Sequence, residues 1–131
     1  KRIHDLAEKA RKTLCGVGDL SKCKNKILVD VTSYNPVEAQ TDSTPCEGAG
    51  GNVCESFARG DNPIALSQDL IKTLGGGPFR MGDKVSMEGG NCTGTFTVLD
   101  TMNSRWTNRV DIFRPKRDQN VGCKNVTLVR L

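Results

Sequence analysis

Apolar and polar residues alternate with a period of two along most of this chain. KILVDVTSY (26–34) is rich in β-branched residues and predicts a first strand, and PIAL (63–66) a short second one. DKVSMEG (83–89) and TGTFTVLD (93–100) alternate on either side of a Gly-rich turn holding Cys92, the pattern of a hairpin. VDIF (110–113) and KNVTLVRL (124–131) bring the predicted strands to six. Residues 3–14, IHDLAEKARKTL, break this period. Ile3, Leu6, Ala7, Ala10 and Leu14 fall at helical spacing and predict a short amphipathic helix that Gly16 stops. Its apolar stripe is expected to pack on its own core rather than on a partner. SQDLIKTL and RPKRDQNVGC predict short turns or helices. Residues 35–62 read as a long polar loop of turn formers, and loops of that length are functional or disordered. The chain has no internal repeat and no low-complexity linker.

Composition narrows the fold class. A length of 131 residues suits one domain, and 36% hydrophobic and 5% aromatic residues with 14 Gly and 5 Pro favour an all-β barrel of short segments over a helical bundle. The expected organisation is an N-terminal helical appendage with a disulfide loop (1–25) and a barrel domain (26–131). Cys15, Cys23, Cys46, Cys54, Cys92 and Cys123 form an even set, read as disulfides made in an oxidising compartment, so a secreted or periplasmic protein is expected. Zinc is disfavoured, because no two cysteines have C-x-x-C spacing and His4 is the only histidine. Pairing 15–23 and 46–54 would close local loops and leave 92–123 as the long-range bridge.

No apolar run reaches the roughly 20 residues of a membrane span. The N-terminus lacks a signal-peptide core, so a mature or trimmed chain is expected. The net charge of +4 is scattered, which suits solubility and weak attraction to anionic polymers; nucleic acid would need a denser patch or an aromatic platform. Asn91-Cys92-Thr93 and Asn125-Val126-Thr127 match the glycosylation triplet, which matters only in a eukaryotic host. A monomer is expected, and no metal or organic cofactor is implied.

The succession VTSYNPVEAQTDSTPC, IALSQDL and VLDTMNSRWTNRVDIF resembles the three-aspartate (3D) domain, a double-psi β-barrel, over roughly residues 27–131. Asp100 and Thr101 match the family's strand-ending Asp-Thr, and Arg109, Val110 and Asp111 match its returning Arg-(Val/Ile)-Asp strand. The chain departs from the family pattern after Asp100, where Met102 to Asn108 replace a glycine-rich segment. At the place of the remaining aspartate stands Ser67, with Asp69 two residues on. The resemblance implies a six-stranded double-psi barrel related to the catalytic domain of membrane-bound lytic transglycosylase A, stationary-phase survival mini-lytic transglycosylases, rare lipoprotein A and expansins, all directed at β-1,4 glycans.

The resemblance makes Asp111 the candidate acid that protonates a glycosidic oxygen and then acts as base. Asp100 is expected on a strand running beside it, where two carboxylates can hold one proton between them. The alternatives are that Asp100 caps the following turn and that Asp111 pairs with Arg109 or Arg105. Thr32 and Tyr34 share one face of the first strand and are candidate substrate contacts, although a strand tyrosine is also often simply packed. Asp42 is a second candidate carboxylate or a turn nucleus. Trp106 offers an indole face for a pyranose ring or packs over the barrel end; Arg105 and Arg109 contact ligand carboxylates or stabilise Asp111. His4 is given no role.

The leading expectation is a lytic transglycosylase-like domain acting on peptidoglycan or another β-1,4-linked cell-wall glycan. The alternative is a non-catalytic expansin-like binding or wall-loosening domain, which Ser67 and the missing glycines favour. A third is a secreted effector or inhibitor using the barrel as a scaffold, with residues 35–62 meeting a protein partner.

Overall fold

The computed structural model describes residues 26–35 and 46–131. The predicted N-terminal helix, the Cys15–Cys23 pair and Asp42 lie outside the described residues. In chain order the strands are β1 (Lys26–Tyr34), two short arms β2 (Glu47–Gly48) and β3 (Gly51–Asn52), β4 (Pro63–Leu66), β5 (Lys84–Glu88), β6 (Gly94–Thr101), β7 (Arg109–Phe113) and β8 (Cys123–Arg130). The alternation that predicts the long strands places them to within a residue or so.

Six of these strands close into one mixed barrel in the order β1-β7-β4-β6-β5-β8. β1 runs parallel to β7 and β4 parallel to β6, while β4 and β7 are antiparallel. The connection from β1 to β4 therefore straddles β7, and that from β6 to β7 straddles β4. These are the two psi crossovers of a double-psi barrel. Closure leaves no barrel strand with an unpaired edge, which a short open sheet would expose.

The interior is apolar throughout. Val31, Ile64, Val85, Val98, Ile112 and Leu128, one from each barrel strand, are all 2% exposed or less. A 3-10 turn (Gln68–Leu70) and the single-turn helix Lys72–Gly75 that follows it add Leu70 and Ile71, and Phe79 joins them. Gly77 permits this fold-back: a Cβ there would stand 2.3 Å from the carbonyl carbon of Leu70. The Cys92–Cys123 disulfide ties the 3-10 turn Gly90–Cys92 to the start of β8.

The loop expected over 35–62 contains more order than its composition suggests. Val53–Ala58 forms helix α1, capped by Asn52, whose side-chain oxygen accepts from Glu55 N at 2.9 Å. Six residues are too few for an independently stable helix, so tertiary contacts hold it. Val53 and Phe57 pack on Tyr34 and Phe113 outside the barrel, with Phe57 and Phe113 rings 5.6 Å apart, and the Cys46–Cys54 disulfide fastens the helix start to the arms.

Candidate functional site

Strand register builds a row of side chains on the outside of the barrel. On β7, Val110 and Ile112 point into the core, so alternation turns Asp111 outward. Thr32 on β1 is the parallel neighbour of Asp111, and Ala65 on β4 is its antiparallel neighbour. Ala65 in turn faces Asp100 on β6. The row therefore reads Thr32, Asp111, Ala65, Asp100 across β1, β7, β4 and β6.

Asp100 reaches that outer row because of a bulge. Ile64 pairs with Val98 and Ala65 with Asp100, so Leu99 is an extra residue on β6. Without it, strict alternation from the buried Val98 would send Asp100 into the apolar interior. The bulge turns the carboxylate outward and lets Leu99 pack against the outer cluster of Tyr34, Val53, Ala65 and Phe113.

β6 and β7 do not pair, contrary to the expectation that the two aspartates sit on strands running side by side. The psi crossover inserts β4 between them. At about 4.8 Å between neighbouring strands, the Cα atoms of Asp100 and Asp111 stand about 10 Å apart, with the small Ala65 side chain between them. Ala65 is itself covered, packed in the outer cluster with Tyr34, Val53 and Phe113.

The hydroxyl of Thr32 donates to Asp111 Oδ1, and Arg109 Nη2 donates to Thr32 Oγ1 at 3.1 Å. Receiving one bond and giving the other fixes the direction of the Thr32 proton toward Asp111. Arg109 thus acts on Asp111 through Thr32, and no ion pair between them occurs among the described residues. Asp100 Oδ1 accepts from Ala49 N at 3.0 Å and from Thr101 N at 2.8 Å, the capping alternative for this residue. Ala49 comes within reach because β2 lies close on β6: a Cβ on Gly48 would stand 2.5 Å from Leu99 O.

Tyr34 lies two residues beyond Thr32 on the same face and is 9% exposed. Its ring meets Phe113 edge-on at 5.6 Å, and its hydroxyl is buried with no hydrogen-bond partner among the described residues. Burial, followed by the negative charges of Asp100 and Asp111, pushes the phenol well above its ordinary value. It remains a protonated donor within the field of both carboxylates.

The β6–β7 crossover carries the other candidates. Trp106 is 36% exposed, with the guanidinium carbons of Arg109 and Arg105 at 4.3 and 4.9 Å from its ring centroid. Ser67 and Asp69 fasten this crossover instead of joining the row. Arg109 N donates to Ser67 Oγ and Asn108 N to Asp69 Oδ2, both at 3.0 Å.

Ala65 and the Ala49 amide are the parts that sequence reasoning missed. The only signal for Ala65 was a small residue between Ile64 and Leu66 in an otherwise bulky strand. Among the described residues no group of three or more His, Cys, Asp or Glu is placed to hold a metal ion, and no helix is long and apolar enough to cross a membrane. No protein-family model, curated protein or solved structure matches the chain.

Proposed function

We propose that this is a secreted or periplasmic cell-wall glycan-active domain whose outer row binds a β-1,4-linked polysaccharide, peptidoglycan in the first instance, and cleaves it as a lytic transglycosylase does. The observation that carries this reading is the alignment of Thr32, Asp111, Ala65 and Asp100 in one row, with the Thr32 hydroxyl donating to Asp111. Glycosidic cleavage needs an acid, because an alkoxide is a poor leaving group near neutral pH. Asp111 supplies the proton to the leaving oxygen as the C1–O bond breaks. The resulting carboxylate takes the proton of the muramoyl C6 hydroxyl while O6 bonds to C1, closing a 1,6-anhydro ring without consuming water. Thr32 orients Asp111, and Asp100 supplies fixed negative charge beside the developing cation. The Cys46–Cys54 and Cys92–Cys123 bridges fit an oxidising compartment.

A second reading, an expansin-like domain that binds without turnover, is favoured by the two backbone amides on Asp100, which commit it to holding β2 against β6. Mass spectrometry of the soluble products released from purified peptidoglycan separates the two. Anhydromuropeptides from the wild type and none from Asp111→Asn are expected. A folded protein that stays on the wall and releases nothing overturns the transglycosylase reading in favour of the binding domain.

A further inference from the structure

Arg105 and Arg109 place two guanidinium groups against one indole, and neither forms a salt bridge with a carboxylate among the described residues. Two neighbouring cations repel each other, and stacking on Trp106 only partly offsets this. A guanidinium lying on a ring keeps its N–H groups at its edges, which is the geometry that meets a carboxylate with two parallel hydrogen bonds. The stack is also tied to the row: the same Arg109 side chain donates to Thr32 Oγ1, the hydroxyl that donates to Asp111. Trp106 is exposed enough for a ligand to reach the stack.

We propose that Arg105, Trp106 and Arg109 form a subsite for a carboxylate displayed beside the glycan chain, one side chain away from Asp111. This rests on the glycan reading and adds to it the charge of the preferred polymer. In peptidoglycan the lactyl carboxyl of a stem-bearing muramoyl unit is bound in an amide, so the carboxylate comes either from the stem peptide or from the lactyl group of a unit that lacks its stem. A neutral β-1,4 glycan fills the row but leaves the subsite empty.

The test is retention of the full chain on three insoluble substrates: intact peptidoglycan, peptidoglycan with its carboxylates amidated by carbodiimide and ammonia, and peptidoglycan stripped of stem peptides by an amidase. Amidation is expected to weaken wild-type binding roughly tenfold, the scale of one charge-assisted pair. Arg105→Ala, on an exposed turn, and Arg109→Lys, which keeps the charge but not the fork, bind intact wall as weakly as the wild type binds amidated wall. Stripping removes the stem carboxylates and frees the lactyl ones, so loss of retention on the stripped wall assigns the carboxylate to the stem, whereas equal or tighter retention assigns it to the lactyl group of stem-free units. Equal wild-type binding to intact and amidated wall overturns the subsite and leaves the glycan reading standing, whereas binding to neither overturns both. Lys84→Ala, exposed on β5, the strand opposite β7 in the closed barrel, is expected to leave retention unchanged; a loss equal to that of Arg105→Ala reduces the effect to overall charge and overturns the subsite.

Discussion

The inner and outer faces of β1, β7, β4 and β6 are made by the same four strands, yet they differ completely in chemistry. Inward, Val31, Ile112, Ile64 and Val98 meet in a sealed apolar core. Outward, Thr32, Asp111, Ala65 and Asp100 form a polar row with one small residue in it. Because neighbouring residues on a strand face opposite ways, the barrel separates stability from chemistry by parity, reset once by the Leu99 bulge that brings Asp100 outward. Substitutions on the inner face should unfold the protein, and those in the row should leave it folded but altered at the site.

The largest stability effect is expected inside. Phe79 is fully buried, and Phe79→Ala should cost about 3–5 kcal/mol in urea unfolding. Opening the Cys92–Cys123 bridge by replacing both cysteines with alanine should cost about 2–4 kcal/mol, read the same way, because it releases a long loop in the unfolded chain. Ala65→Leu tests the boundary between the faces. Overpacking against Tyr34 and Phe113 should cost about 1–3 kcal/mol, and the displacement it forces between the two aspartates should weaken glycan retention even where the protein remains folded. If the leucine variant binds as tightly as the wild type, the ligand does not lie across the row.

Asp111→Asn should change stability by less than about 1 kcal/mol, since the amide oxygen still accepts from Thr32, while product release falls about 100-fold or more. Tyr34→Phe should have the smallest effect on stability, within about 1 kcal/mol and toward greater stability, because it removes a buried hydroxyl with no partner among the described residues. Its clearer signature is in pH. The folded phenol holds its proton above its ordinary value, so below about pH 10 it is neutral in both folded and unfolded chains and contributes no pH dependence. Above about pH 10 the unfolded chain loses that proton more readily, and stability falls with rising pH. Tyr34→Phe should remove that part of the fall. Tyr34 is the only tyrosine, so ultraviolet difference titration reads it directly; phenolate appearing near pH 10 in the folded protein would mean that the hydroxyl is solvated.

The long strands were legible because a half-buried strand writes its burial into alternate residues, as Val29 and Val31 do in β1. Helix α1 was hidden because Val53 and Phe57 sit among glycines, two acidic residues and two cysteines, and its stability comes from the cluster it joins rather than from its own six residues. The pairings 46–54 and 92–123 were reachable from loop lengths, and both bridges are present. Asp111, Thr32 and Tyr34 were reachable through the resemblance and the parity of their strands.

By itself, then, the amino-acid sequence determined the β class, the strand positions, the local Cys46–Cys54 loop and the parity that turns Asp111 away from the core. These depend on residues near one another in the chain. Only the tertiary structure decided that β4 lies between β6 and β7, that Leu99 bulges to turn Asp100 outward, and that Ala65 separates the two carboxylates. Those facts depend on which strands become neighbours when the barrel closes, and alternation records a strand's two faces without naming what lies beside it.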